Sequence, residues 1–213
     1  MPKKNIAGEP GRLDALVDGV FAIVLTLLVI EFKVPEVAED LPVTSKMVLE
    51  ELAHLSPLFY SYLISFFVIA SYWTIHHRIS ATFKKCDSNL VKKTFTFLLG
   101  ISLLPFTTHI QGKYGEIPLG FSVYSLNVCF CGFSLLSLWS YAKTEIVEKI
   151  PEELGKLFKT KLFITSFIFL ASAPISFIDL GMAKLLWIAL FFVSPALNKL
   201  KGWNKYGDPD SYF

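Results

Sequence analysis

Apolar residues follow one another along most of this chain, and charged residues fall mainly between the apolar stretches. Six stretches have, or nearly have, the roughly 20 residues that a helix needs to cross a bilayer. They cover approximately residues 13–32, 55–75, 94–110, 119–142, 162–180 and 182–197. Together they take up more than half of the 213 residues. The pattern predicts an all-α polytopic membrane protein, with one six-helix transmembrane domain over residues 1–213.

The composition narrows the class of protein further. Hydrophobic residues make up 53% and charged residues 18% of the chain, against about 25% charged residues in soluble proteins. Together with a mean hydropathy of +0.52, these values exclude a disordered chain and an ordinary soluble enzyme. Three cysteines, Cys86, Cys129 and Cys131, suit neither a disulfide framework nor a zinc site, and we expect them to be packing residues. No phosphate loop, nucleophile–base pair or nucleic-acid motif occurs, so we expect no enzyme activity, no cofactor and no nucleic-acid partner.

Lysine and arginine lie mostly on one side of the predicted helices. Sixteen of the 20 fall on the side of the chain termini. The other side holds Lys33, Lys46, Lys113 and Lys184. Under the positive-inside rule, this split predicts that both termini are cytoplasmic. The first outer segment, between Glu31 and Glu51, is acidic, which indicates either solubility alone or a vestibule that concentrates cations. Candidates for the interfacial aromatic belts are Trp139, Trp187 and Trp203.

The first stretch carries a carboxylate and an aliphatic stripe on separate faces. At 100° per residue, Ile23, Leu27 and Ile30 share one face, with Thr26 at its edge. Asp18 points away from that face. Because a lipid-facing carboxylate is costly, we expect Asp18 to face protein. The stripe itself fits three positions, namely the wall of a pore, the lipid, or the packed core.

Four residues at the end of the second apolar stretch are possible hydrogen-bond partners for Asp18. They are Trp73, His76, His77 and Arg78. Their indole, imidazole and guanidinium N–H groups donate to carboxylates, and they lie at the same predicted depth as Asp18. We predict that Asp18 pairs with Arg12 or with His77. Adjacent histidines diverge by about 100° on a helix, so we expect no metal site at His76 and His77.

These residues belong to a longer motif. Along the first helix it comprises Arg12, Asp18, Gly19, Phe21, Ala22, Ile23, Thr26, Leu27 and Leu28. It continues with the exit Lys33-Val34-Pro35 and with Trp73-x-x-His76-His77-Arg78. In these motifs, the first half of the chain resembles the bacterial and archaeal six-helix members of the lysosomal potassium channel family (transmembrane protein 175). The second half is similar only in helix count and polarity. Leu16-Val17 stands where the family has Phe-Ser, and Val17 cannot make the hydrogen bond of that serine.

The resemblance implies a homotetrameric cation channel that favours potassium, in the cell membrane of a prokaryote. The first helix of each subunit would line a central pore in the lipid bilayer. The family has no carbonyl filter of the Thr-Val-Gly-Tyr-Gly kind, and none occurs in this sequence. The constriction would instead be built from rings of Ile23, Leu27 and Ile30, with Thr26 as a nearby polar ring. The residues that would brace the first helix are Arg12, Asp18, Trp73, His76, His77 and Arg78.

Two other functions fit the residues less well. A cation–proton secondary transporter would use Asp18 and His77 as a proton relay. Transporters usually carry internal repeats and broken helices near the membrane midplane, whereas the acidic residues of this chain lie at helix ends. A non-conducting scaffold, or a subunit of a larger complex, is the other alternative.

Overall fold

Seven helices make up the part of the chain that a computed structural model describes, namely residues 10–30, 32, 44–147 and 152–200. Side chains are described over the same ranges except at residues 152–154, 157 and 191–200. In chain order the helices are α1 (Pro10–Ile30), α2 (Ser45–His54), α3 (Ser56–Ser80), α4 (Ser88–Tyr114), α5 (Pro118–Glu145), α6 (Glu152–Ser176) and α7 (Leu180–Leu200). The described residues form no strands, and the all-α prediction is confirmed for them.

Five of the helices are long and apolar enough to cross a membrane. They are α1, α3, α4, α5 and the Phe158–Ser176 part of α6. The apolar part of α7 whose side chains are described, Leu180–Leu190, is shorter than a span. The chain is therefore a multi-span membrane protein, while the count of six spans stays a prediction.

The spanning helices extend beyond the apolar stretches that predicted them. α4 begins at Ser88 rather than near residue 94, and α6 begins at Glu152 rather than near residue 162. Asp87 shows why α4 starts early, because its carboxylate accepts a hydrogen bond from the backbone N–H of Leu90 at 2.8 Å. Such a cap satisfies a free donor of the first turn, so polar residues continue the helix past the apolar layer.

The helix α2 lies in the segment that the sequence analysis treats as an outer loop. Its N-cap is Thr44, whose hydroxyl accepts from the backbone N–H of Met47 at 3.3 Å. Lys46 and Glu50, one turn apart, form an ion pair at 3.7 Å. Ten residues are too few for a span, so the apolar pattern did not indicate this helix.

The helix α5 occupies the centre of the bundle. It packs on α4 and α6, while α1 packs on α3 and α4, and α7 packs on α6. Phe121 and Trp139 of α5 are fully buried. Trp187 of α7 stacks on Phe121 with ring centroids 4.3 Å apart. The placement of Trp139 and Trp187 in interfacial belts is therefore wrong, because both rings fill the core; Trp203 lies outside the described residues.

Small residues and hydroxyl groups hold these helices close together. The Ser65 hydroxyl of α3 donates to Tyr124 of α5 at 3.0 Å and accepts from Thr108 of α4 at 2.7 Å. Gly132 of α5 leaves no room for a side chain, since a Cβ there would lie 2.0 Å from Oγ of Ser166 on α6. Close approach of small residues and hydrogen bonds between helices are the usual means of helix association in a membrane, where lipid provides no hydrophobic drive.

The spanning helices alternate in direction, so the bundle has two distinct ends. At one end, which we call the Asp18 end, the start of α1 meets the end of α3, and the start of α4 meets the end of α5. Lys93 of α4 donates there to Ser137 of α5 at 2.8 Å. At the opposite end Lys184 of α7 pairs with Glu116, between α4 and α5, at 2.7 Å.

Labelling from each side of the membrane tests the predicted topology. Lys85→Cys at the Asp18 end should react with an impermeant maleimide only after the cells are permeabilised, while Lys113→Cys at the opposite end should react in intact cells. Both positions are exposed, and the native Cys86, Cys129 and Cys131 are buried, so the unmodified chain serves as the control. Reaction of both variants from the same side would contradict this topology.

A carboxylate ties two helices together at the Asp18 end. Asp87, which caps α4, also accepts a hydrogen bond from the Tyr141 hydroxyl of α5. Burial raises the pKa of Asp87, but the hydrogen bonds from Tyr141 and from the backbone of Leu90 outweigh this effect and hold the pKa below the ordinary 3.8. A lowered pKa in the folded state means that the charged carboxylate stabilises the fold at neutral pH.

Replacing Tyr141 tests this link and its dependence on pH. Tyr141→Phe should lower the free energy of unfolding by about 1 kcal/mol at pH 7. The loss should shrink as the pH falls below the ordinary pKa of 3.8, since the carboxylate that the hydroxyl stabilises becomes protonated. Thermal unfolding of the purified protein in detergent measures both effects. Tyr60→Phe, at an exposed tyrosine of α3, is the matched control, and a loss that does not vary with pH would refute the account.

Candidate functional site

One face of α1 packs against the rest of the chain. Five residues repeat at helical spacing on that face and are buried, namely Leu13, Val17, Phe21, Val24 and Leu28. The Phe21 ring lies 5.9 Å from the ring of Phe97 on α4. Val17, which replaces the serine of the family motif, is completely buried in this apolar layer, where its side chain needs no hydrogen-bond partner.

Another face of α1 carries the predicted aliphatic stripe. The side chains of Ile23, Leu27 and Ile30 are 59%, 39% and 68% exposed in the described part of the chain. Thr26 is also exposed, and its hydroxyl donates to the backbone oxygen of Ile23 at 2.8 Å. The stripe therefore lies outside the core of its own chain, which leaves lipid or another copy of the chain as its surroundings.

The carboxylate of Asp18 bonds to α3, away from the stripe. It accepts a hydrogen bond from the indole nitrogen of Trp73, with Nε1 and Oδ1 2.9 Å apart. The Trp73 ring stacks on His77 with centroids 5.1 Å apart and an angle of 17° between the planes. The partner in this structure is thus the indole of Trp73, rather than the predicted Arg12 or His77, and His77 supports that indole by stacking.

The two histidines at the end of α3 face different surroundings. His76 is buried, and its ring lies parallel to that of Phe97 at 5.7 Å. His77 is exposed, and Arg78 is half-buried. In the described part of the chain, no three His, Cys, Asp or Glu side chains come together as a group that could hold a metal ion.

A second carboxylate of α1 belongs to the same cluster, and the sequence analysis did not assign it a role. Asp14 lies near the Ser80 side chain of α3 and within electrostatic range of Asp18 and His77. Asp14 precedes Asp18 by four residues, which places both on one helix face. This four-residue spacing is the sequence signal that could have assigned Asp14 to the cluster. Two carboxylates of α1 therefore contact the last turns of α3.

Removal of the indole donor tests the bond between α1 and α3. Trp73→Phe keeps an aromatic ring on His77 but deletes the N–H group, so it should lower the free energy of unfolding by about 1 kcal/mol. Thr74→Val is the control, since that exposed hydroxyl bonds only to the backbone of its own helix. Thermal unfolding and size-exclusion chromatography in detergent measure stability and assembly. Equal stability of Trp73→Phe and the unmodified chain would mean that the bond does not hold α1.

Comparison with known proteins gives a consistent match. Residues 12–105 match the family described as endosomal/lysosomal potassium channel TMEM175. The chain is 34% identical over 102 residues to a potassium channel of Chryseobacterium sp. (strain P1-3), over 48% of each chain. It is 32% identical over 141 residues to a potassium channel of Chamaesiphon minutus, over 64% of this chain and 67% of that one. The match thus spans about half of the first relative and two thirds of the second.

The fold is also found among solved structures. The crystal structure of a lysosomal potassium-selective channel TMEM175 homolog from Chamaesiphon minutus superposes with a TM-score of 0.72. The superposition covers 91% of this chain and 98% of that one at 24% sequence identity. The helices described above, including the second half of the chain that lacks the motifs, therefore follow the fold of that channel. By sequence and by fold, this chain belongs to the TMEM175 family.

Proposed function

We propose that this protein is a potassium-preferring cation channel that conducts passively through a central pore lined by α1 of four identical subunits. The observation that carries the proposal is the uncovered aliphatic stripe of Ile23, Leu27 and Ile30. The stripe lies on α1, and Asp18, on another face of α1, bonds to α3 of the same chain. The names of the bacterial relatives support potassium as the permeant ion.

The stripe is long enough along the helix axis to form a gate. From Ile23 to Ile30 it extends for about 10 Å along the helix axis. Four such stripes around an axis exclude water, and a dry constriction opposes the passage of any ion until it widens. Because aliphatic side chains offer no oxygen to a dehydrated ion, conduction in the open state requires water or nearby oxygens such as the Thr26 hydroxyls. We therefore expect a weaker preference for potassium than a carbonyl filter provides.

In this proposal, the contacts of α1 with α3 and α4 determine which face of α1 points toward the central pore. Asp18 and Asp14 contact the last turns of α3, and the buried residues of α1 pack on α3 and α4. These contacts prevent α1 from turning its stripe toward its own chain. In this proposal Arg12, His76 and Arg78 complete the polar cluster around the brace.

The proposed topology has six spanning helices, with α7 as the sixth and both termini in the cytoplasm. The Asp18 end of the bundle then faces the cytoplasm, and α2 lies outside. We place the protein in the plasma or inner membrane of a prokaryote, as a homotetramer in the lipid bilayer. The channel needs no cofactor besides the permeant ion, performs no enzyme reaction and binds no nucleic acid.

Recording from the full-length protein in planar bilayers tests the proposal. A channel should give discrete current steps that reverse near the potassium equilibrium potential under a potassium gradient. Saturable, proton-coupled flux without unitary steps would favour the transporter alternative, in which Asp18 and His77 relay protons. The absence of any flux from correctly assembled protein would favour a scaffold.

Changes at Ile23 test the constriction directly. Ile23→Ala and Ile23→Asn should each raise the conductance or the open probability severalfold, because a smaller or polar side chain allows water into the gate. Val29→Asn is the matched control, since Val29 is equally exposed on α1 but lies about 120° from Ile23 around the helix. Single-channel recording measures the effect, which should be absent in the control.

Chemical modification distinguishes a pore position from a lipid position. Ile23→Cys in an open channel should react with a small water-soluble thiol reagent, and the reaction should block the current. A cysteine at Ile23 that stays inert while the channel conducts would place the stripe in lipid and overturn the proposed constriction.

A further inference from the structure

The helix α2 has one mainly apolar and one mainly polar face, and its apolar face is partly exposed in the described part of the chain. At 100° per residue, an arc of about 140° contains Val48, Leu49, Leu52 and Ala53. The rest of the helix surface carries Lys46, Glu50, Glu51 and His54 together with the half-buried Met47, and Ser45 of the first turn lies within the apolar arc. Val48, Leu49 and Leu52 are 40%, 68% and 52% exposed, and α2 packs on the adjacent α3. Most of the apolar and most of the charged side chains thus lie on different sides of this ten-residue helix.

The position of α2 along the chain places it at the surface of the membrane. Leu55 is both the C-cap of α2 and the N-cap of α3, so α2 ends where a membrane-spanning helix begins. The first turns of α3 expose the aromatic rings of Phe59 and Tyr60, and the end of α4 exposes Tyr114. Aromatic residues at the ends of spanning helices mark the boundary between headgroups and water. The exposed apolar residues of α2 are thus followed directly in the chain by the exposed aromatic rings of α3.

The junction at Leu55 allows α2 to leave the direction of α3. The backbone N–H of Leu55 bonds to Leu52, three residues back, instead of continuing the regular helical pattern. Pro57, in the first turn of α3, has no N–H to bond back to α2. The two helices are thus separate segments, and α2 does not have to extend along the axis of α3 into water.

We infer that α2 is an interfacial helix, with Val48, Leu49 and Leu52 inserted at the boundary between headgroups and acyl chains. The surface of a bilayer is the environment that provides apolar and aqueous contacts on opposite sides of one helix. The ion pair of Lys46 and Glu50, with side chains 84% and 60% exposed, then faces water. Under the proposed topology this surface belongs to the outer leaflet, but insertion itself does not depend on the direction of the chain or on conduction.

Size and charge favour zwitterionic lipid as the occupant of this face. Three side chains form a much smaller surface than the roughly 800 Å² per partner of a stable protein interface, so a second copy of the chain is a poorer fit. One lysine against two glutamates gives α2 no excess of positive charge that would require anionic lipid. The expected partner is therefore a neutral phospholipid such as phosphatidylcholine.

Fluorescence quenching in phosphatidylcholine vesicles tests the inference on the full-length protein. A bimane label on Leu49→Cys should lose emission when the lipid is brominated near the headgroup end of its acyl chains, and should be shielded from aqueous iodide. The same label on Glu51→Cys, on the polar face, is the matched control and should show the reverse. The buried native cysteines make the labelling selective.

Each other outcome overturns the inference. Equal quenching of both positions by iodide would place α2 in water. Protection of Leu49 from both quenchers would mean that protein covers the face. A further variant, Leu52→Asp with the label on Val48→Cys, should make Val48 more accessible to iodide, because a carboxylate weakens insertion. Since quenching is independent of current, a conducting channel with α2 in water would overturn this inference and leave the proposed function intact.

Discussion

A carboxylate on a membrane helix needs a hydrogen-bond donor, and for Asp18, which is exposed on the single chain, that donor is the indole of Trp73. This one hydrogen bond limits how α1 can rotate, because turning the helix would carry Asp18 toward lipid. Asp14, one turn earlier on the same face, also lies near the end of α3. The aliphatic stripe that begins at Ile23 consequently points away from its own chain.

The remaining helices form the support on which α1 rests. Hydroxyl groups such as those of Ser65 and Tyr124 bond between helices, and Gly132 allows α5 and α6 to approach closely. In the most apolar part of α5, 61% of the residues are buried, against 22% in those of α1 and α3. α1 is thus a peripheral element of the single chain, and most of its surface is left for lipid or for other copies. A central scaffold with an exposed α1 that is bonded to α3 suits the proposed function, in which α1 lines a shared pore.

The two ends of the bundle are built from different chemistry. The Asp18 end concentrates charged and hydroxyl groups, including the link from Tyr141 to Asp87, which holds α5 to the start of α4. The opposite end exposes aromatic and aliphatic side chains, and α2 adds an amphipathic surface there. The two ends therefore differ in their chemistry, although the ion pair of Lys184 and Glu116 provides a polar contact at the opposite end as well.

The sequence by itself determined the helical class, the existence of long membrane-crossing segments and the separation of Asp18 from the aliphatic stripe. Each follows from a local property of the sequence, either the length of an apolar segment or the 100° turn per helical residue. Neither property depends on distant contacts. The family resemblance likewise rested on motifs that are continuous along the chain.

Only the tertiary structure decided which partner each polar group takes. The sequence offered several donors for Asp18 at one membrane depth, and the choice of Trp73 depends on how α1 and α3 cross. The burial of Trp139 and Trp187, against the interfacial position expected from sequence, depends on where α5 and α7 lie in the bundle. Hydropathy measures the affinity of a segment for an apolar medium, but lipid and protein core are both apolar. It therefore does not distinguish the face of a helix that packs on a neighbour from the face that is left free.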